Sequence, residues 1–403
     1  MKFLRYGYIT GPVIGALWMI VAGFTIAVAM SFATGQAFRP NLLLSLVWGA
    51  LLWPATMRAA GIAGPALAAL LLVGATLIGV GPLIVGAGTS TVTAVICGLL
   101  LAAGTIWPVR LMLQDMPPGA LTRHIFEHAV IRFLTGTGYV IFTAIVAIPF
   151  YVMVMTSLKN QQQLVQNPLD FSIDLSRGLD LFSSYVELFA QFNFGSYLWT
   201  STYVSVLTVL ITLLFSVPGA YAVARLRFSG RTAFSRSILL IYMVPMIVLA
   251  LPIYIAFSML GLRNTIFGII VIYPVTTIPV ALYMLQGYFR GLPAEVEEAG
   301  LMDGLTRLRV IWKITLPLSL PALASVSLYV FMIAWNEFLL AFMLLDDPSK
   351  FTLTRGVAML NSSEIPRQHL MAGAVIATVP IMVLFLGLEK FMTRGLTAGA
   401  VKG

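Results

Sequence analysis

Charge is what this sequence lacks most. Of its 403 residues only 10% are Asp, Glu, Lys or Arg, while 59% are apolar and the mean hydropathy is +0.95. A soluble domain carries about 25% charged residues, so a water-soluble fold is excluded and an integral membrane protein is indicated. Cysteine is nearly absent. The single Cys97 sits in an apolar run, which excludes an internal disulfide framework and reads as a packing thiol. Histidine is as scarce, with three in all; His124 and His128 stand four apart, but no third ligand lies nearby and no metal site is expected. A P-loop needs a lysine directly after a glycine to reach nucleotide phosphates. None of Lys2, Lys159, Lys313, Lys350, Lys390 and Lys402 follows one. A conventional ATP-hydrolysing site is therefore excluded, and neither a cofactor nor a catalytic residue is expected in the chain.

What is present is a series of long apolar runs. About 20 apolar residues cross a bilayer's hydrocarbon core. Runs at 8–32, 42–60, 65–86, 89–107, 138–157, 199–224, 237–260, 265–286, 320–345 and 370–390 predict about ten transmembrane helices in an all-α polytopic protein. Ala27-Val28-Ala29 resembles a processing site, but the run before it is longer than a signal peptide's apolar region, which favours an uncleaved anchor. Glycines between Gly79 and Gly88 have suggestive nucleotide-loop spacing, yet stand among apolar residues and read as helix-packing positions.

Lys and Arg set the orientation. With the N-terminus cytoplasmic, 17 of the 24 basic residues fall in inside segments and 7 in outside segments. Both termini are thus expected inside, and the net charge of +9 needs no nucleic-acid partner. The chain divides near residue 135. Residues 1–135 form an N-terminal extension of about four spans and a basic segment from Arg110 to Arg132 that reads as an amphipathic interfacial helix. Residues 136–403 supply six spans, with long outer loops at 158–198 and 346–369.

The most informative stretch lies between two of those spans. Glu297-Glu298-Ala299-Gly300-Leu301-Met302-Asp303-Gly304 is polar and helix-prone, and Ile314-Thr315-Leu316-Pro317 follows ten residues later. Loops between elements are usually short, so an excursion over 287–320 with its own helical pattern calls for a role. Acids after Pro293 complement a helix N-terminus, and Ala299, Gly300 and Gly304 leave a low-relief surface. Physical chemistry alone divides evenly between a docking element and a helix lying on the headgroups.

The arrangement resembles the EAA loop of ABC-importer permease subunits. In that pattern Glu-Ala-Ala is followed after three residues by Gly, and after nine more by Ile-x-Leu-Pro. Glu298, Ala299, Gly304, Ile314, Leu316 and Pro317 fall on it, with Gly300 in place of the second alanine. The run Pro218-Gly219-Ala220-Tyr221-Ala222-Val223-Ala224-Arg225, the Trp335-Asn336-Glu337-Phe338 segment and the tail from Gly395 to Gly403 are similar to the carbohydrate, MalG-type, binding-protein-dependent branch. The likeness covers about 138–403.

That resemblance implies a six-helix type I importer core in a bacterial inner membrane, carrying an oligosaccharide, glycoside or related polyol. Its implied partners are a homologous second permease, an ATPase homodimer holding ATP and Mg, an extracytoplasmic solute-binding protein and membrane lipid, with no nucleic acid. Carried over residue by residue, it assigns ATPase docking to Glu298, Ala299, Gly300, Asp303 and Gly304 and loop anchoring to Ile314, Leu316 and Pro317. The tail 391–403, through Leu396, Thr397, Gly399 and Lys402, would enter the ATPase, and 346–369 would face the binding protein. Asn336 and Glu337 are candidate pathway residues, because an acid in or near an apolar span is costly. Satisfied interhelical hydrogen bonding is the plainer reading, and an ion-driven secondary transporter using Glu337 is the competing function. Tyr203, Tyr242, Tyr254, Tyr273 and Tyr283 could stack on sugar rings or simply pack.

Overall fold

The computed structural model describes residues 5–56, 61–86, 88–168 and 170–397. The chain forms two compact units, Met1–Leu181 and Phe182–Gly403. Both are helical, as expected. Among the described residues six helices are long and apolar enough to cross a membrane, and a seventh candidate is a pair bent by 75°. Three further apolar helices, Leu42–Thr56, Ala63–Ile78 and Met246–Met259, are shorter, so among the described residues six or seven elements have a span's length where ten were expected.

The first unit contains α1 (Gly7–Thr34), α2 (Leu42–Thr56), α3 (Ala63–Ile78), α4 (Thr91–Met112), α5 (Arg123–Ser157) and the short α6 (Gln161–Gln166). Small residues let α1 and α2 touch backbone to backbone: a Cβ on Gly15 would lie 2.5 Å from the Gly49 carbonyl, and one on Gly49 would collide with the Gly15 carbonyl. This is the packing that membrane helices use where lipid removes the hydrophobic drive for association. The Trp18 indole Nε1 donates to the Gly104 carbonyl at 2.9 Å, tying α1 to α4. Cys97 is fully buried in the core of this unit, as a packing thiol should be.

Two sequence expectations change here. The run 65–86 is not one helix. Gly79 closes α3 with φ +79°, and Pro82, lacking an amide donor, precedes β1–β2, a ribbon pairing Phe38–Pro40 with Leu83–Val85 in antiparallel register. Gly79 and Gly88 (φ +103°) therefore serve turns and not helix packing. Second, Arg110–Arg132 is not a separate interfacial helix. Arg110 lies in the last turn of α4, and Thr122 accepts from the Ile125 amide to cap the 35-residue α5, which runs unbroken through residue 135. At 1.5 Å per residue α5 spans about 52 Å, far more than the hydrocarbon core needs. Its first turns can stand in the polar zone, where Arg123 pairs with Glu127 and Arg132 with Asp115.

The second unit contains α7 (Ser183–Gln191), α8 (Phe194–Arg225), α9 (Arg231–Tyr242), α10 (Met246–Met259), α11 (Ile266–Gly291), α12 (Ala294–Met302), α13 (Arg307–Val310), α14 (Leu316–Leu318), α15 (Leu320–Asn336), α16 (Leu339–Leu344), α17 (Leu353–Met359) and α18 (Arg367–Thr397). Buried hydroxyls join α8 to α11: the Thr212 and Thr277 oxygens lie 2.6 Å apart, and Ser216 donates to the Ile278 carbonyl. The Trp335 Nε1 donates to the Ala377 carbonyl, joining α15 to α18. Two predicted spans are broken. The run 237–260 divides between α9 and α10 because Pro245 caps the second helix and biases its predecessor away from helix. The run 320–345 divides at Glu337, whose backbone turns extended.

Replacing Gly49 by Leu should separate α1 from α2 and cost about 1–3 kcal/mol, the range for overpacking a tight contact. A lowered unfolding midpoint in detergent checks this, with Gly74→Leu, where open space surrounds the backbone, as the control.

Candidate functional site

The polar excursion is built as a braced bracket. After α11 ends at Gly291, Pro293 caps α12, and Glu295 and Glu297 occupy its first turn, where acids suit the helix dipole. Gly304 closes α12 with φ +82°. The Leu305 amide donates to the Gly300 carbonyl and the Gly304 amide to the Leu301 carbonyl, the paired bonds of a Schellman stop. The chain continues through α13 into a π-helical turn, Ile311–Thr315, and α14, then bends by 75° into α15 at Ser319.

Glu297, which the sequence reading passed over in favour of its neighbour, is the centre of the bracket. Its Oε1 lies 3.5 Å from Arg225 Nε at the end of α8 and accepts from the Thr315 hydroxyl at 3.0 Å. Its Oε2 accepts from the Tyr221 hydroxyl at 3.2 Å. The Arg225 Nη2 also donates to the Leu292 carbonyl at 2.7 Å. The two charged side chains are only 14% and 12% exposed. Three segments distant in sequence, the end of α8, the start of α12 and the π-turn, thus meet on one carboxylate. Tyr288 adds a tie from α11, donating to the Leu318 carbonyl at 2.9 Å.

Helical phase explains which predicted residues face out. Glu297, Gly300 and Leu301 share the inward face at i, i+3 and i+4, while Glu298, Ala299, Asp303 and Gly304 are exposed. Gly300 is therefore corrected: it is buried and packs inside the loop, where an added Cβ would stand 2.5 Å from Ile314 Cδ1. Ile314 consequently anchors α12, and Leu316 is half-buried. Pro317 is exposed, while its neighbours Thr315 and Ser319 are fully buried. Beside the predicted surface stand Met302 (87% exposed), Leu308 (66%) and Trp312 (67%). The available signal for them was large apolar side chains on an otherwise polar loop.

Glu337 is half-buried and acts as a helix cap. Its Oε1 accepts from the Leu340 amide at 2.9 Å and its Oε2 from the Ala341 amide at 3.2 Å, satisfying the first turn of α16. Asn336 is exposed and donates to the Met332 carbonyl one turn back. The two do not form a relay. Tyr273 is buried, Tyr203 and Tyr254 are half-buried, and Tyr283 is exposed. The Tyr242 side chain, Gly399 and Lys402 lie outside what the structure describes, and of Leu396 and Thr397 it describes only the helical backbone.

The segment 346–369 is tied down at its start. The Asn264 carbonyl accepts from Lys350 Nζ and its side-chain oxygen from the Asp346 and Asp347 amides, while Arg263 pairs with Asp346 at 2.6 Å. The Ser349 amide and hydroxyl on Asp347 hold its carboxyl below the usual carboxylate range.

The fold is a set of apolar helices, several of them broken, with a braced polar excursion whose outer face is exposed. The chain belongs to the family of binding-protein-dependent transport system inner membrane components, whose model matches residues 216–397. It is 36% identical over 270 residues to the inner membrane ABC transporter permease protein YcjP of Escherichia coli (strain K12), covering 66% of this chain and 95% of that protein. It is 33% identical over 281 residues to the trehalose/maltose transport system permease protein MalG of Thermococcus litoralis, covering 69% and 99%. A crystal structure of a bacterial ABC transporter that imports the acidic polysaccharide alginate shares the fold, with TM-score 0.57 at 24% identity, over 67% of this chain and 98% of that one. The protein is thus a multi-pass inner-membrane permease subunit of an ATP-driven, binding-protein-dependent importer, and not an enzyme.

Removing the Glu297 carboxylate should loosen the bracket, because it strands Arg225 in a poorly solvated site. Breaking a buried pair typically costs about 3–5 kcal/mol. Glu297→Ala should speed amide exchange across 294–315 while leaving α8 protected, as read by hydrogen–deuterium exchange. Gly300→Ala should instead be neutral or stabilise α12 by up to about 1 kcal/mol, since the Ile314 terminus can swing aside and alanine favours helix. Its unfolding midpoint tests this.

Proposed function

We propose that this permease translocates a carbohydrate, an oligosaccharide, glycoside or related polyol, and that α12 is the element through which a partner ATPase moves it. The observation carrying the proposal is the two-sided character of α12. One face is fixed to the membrane helices through Glu297, Arg225 and Thr315. The other offers Glu298, Ala299, Asp303 and Gly304 flanked by exposed Met302. Acid on a low-relief apolar patch suits a groove with a basic residue, where charge fixes register and apolar contact supplies affinity.

In this reading the chain pairs with a homologous permease over an ATPase homodimer that binds ATP and Mg. A solute-binding protein delivers substrate at the outer face, where 346–369 offers a contact. Both termini are cytoplasmic, as the Lys and Arg distribution favours. Leu396, Thr397, Gly399 and Lys402 are the tail residues that contact the ATPase in this reading. The N-terminal extension through about residue 135 braces the importer laterally. Closure of the ATPase dimer draws the docked loops together, and the Glu297 bracket turns that displacement into helix movement. Transport follows because ATP binds the closed state better than the open one.

Reconstitution in liposomes with the partner subunits and loaded binding protein tests the proposal. Glu298→Lys should cut substrate-stimulated ATP hydrolysis and uptake at least tenfold while the permease stays folded. Uptake at the unmodified rate would sink the docking role. Glu337→Gln, which can still accept from the Leu340 amide, should keep most of its uptake with no change in pH dependence. A lost proton-gradient response in that variant would instead revive ion coupling.

A further inference from the structure

The first unit carries an apolar groove of about 1030 Å³ between the N-terminal half of α3 and the C-terminal half of α4. α3 and α4 touch where a Cβ on Gly98 would stand 2.9 Å from Val73 Cα, and the groove lies beyond that contact. Its walls include Ala66, Ala69, Leu99, Ala103 and Ile106, small or branched residues that leave a smooth trough. From Leu99 to Arg110 the helix rises about 16 Å, close to one leaflet's share of a hydrocarbon core about 30 Å thick. Trp107, 70% exposed, stands at the Arg110 end, where amphipathic rings mark the membrane–water boundary.

Arg110 distinguishes this trough from ordinary lipid-facing surface. Its Nη1 donates to the Gly61 carbonyl at 3.2 Å, which pins the guanidinium at the mouth. That carbonyl carries no full charge. Arg123 and Arg132 pair with Glu127 and Asp115, whereas Arg110 has no carboxylate partner among the described residues. A fixed cation therefore stands one leaflet's depth above an apolar floor.

We propose that this groove is a binding site for one anionic phospholipid, its acyl chain lying along α4 and its phosphate on the free edge of the Arg110 guanidinium. Charge complementarity selects the occupant: a zwitterionic lipid carries its own cation to the phosphate, while an anionic lipid leaves Arg110 as the partner it lacks. Basic sites between membrane helices hold anionic headgroups for the same reason.

Native mass spectrometry of the full chain, alone in detergent and assembled with its partner subunits, tests this by titration with dioleoyl phosphatidylglycerol or dioleoyl phosphatidylcholine. The unmodified protein should hold one phosphatidylglycerol about tenfold more tightly than phosphatidylcholine. Arg110→Gln should bring the two to parity, and Ala103→Trp, which fills the trough at an exposed position, should weaken both. Inorganic phosphate at equal concentration should not displace the lipid. Equal affinity of the unmodified protein for the two lipids would overturn the proposal, as would displacement by phosphate or unchanged binding in Ala103→Trp. A trough free of lipid in the assembled importer would assign it to a partner's helix and overturn it too. If Arg110→Gln does not fold, the lipid comparison on the unmodified chain and Ala103→Trp decide.

Discussion

The second unit depends on one partly desolvated ion pair, Arg225 with Glu297. At 14% and 12% exposure both charges have lost most of their water. Mutual attraction alone rarely repays that loss. The surrounding bonds make the arrangement tenable: Tyr221 and Thr315 donate to the carboxylate, and the Leu292 carbonyl accepts from the guanidinium. The pair is consequently weak evidence for net stability, and its clearest consequence is geometric. Together with Tyr221 it ties the start of α12 to the end of α8.

The spans were legible in the sequence because apolar length is a direct physical requirement of a bilayer. Their interruptions were not, because an apolar run reads alike whether it forms one helix or two pieces. Pro82 and Pro245 were visible breakers whose effect depended on neighbours: Gly79 had already closed α3, and Pro245 caps α10. Glu337 gave the opposite difficulty. It stood out as an acid in an apolar run, and its carboxylate accepts from two backbone amides that a broken helix leaves open.

The excursion over 287–320 was legible in outline, and its spacing located the family. Its inner wiring was hidden in helical phase and distant pairing. Glu297 and Glu298 are chemically identical neighbours, yet one turns toward Arg225 and the other toward solvent, a choice that α12's placement decides. The same phase explains Gly300. A small residue was read as surface relief, whereas the side chain it makes room for is Ile314.

These facts bear on how force could pass through the loop. A helix docked on a partner transmits displacement only if its own attachment is stiffer than the contact that drives it. Hydrogen bonds and an ion pair converging on one carboxylate resist sliding in several directions, unlike apolar contact, which resists separation but permits shear. Within the π-turn itself Thr315 faces Glu297 while Trp312 stays exposed. The chain then bends by 75° at Ser319 into α15. α15 leads directly to the break at Glu337. In the proposed docking role, a bent, braced bracket joined to an interrupted helix would pass a push on α12 to the rest of the unit without slipping.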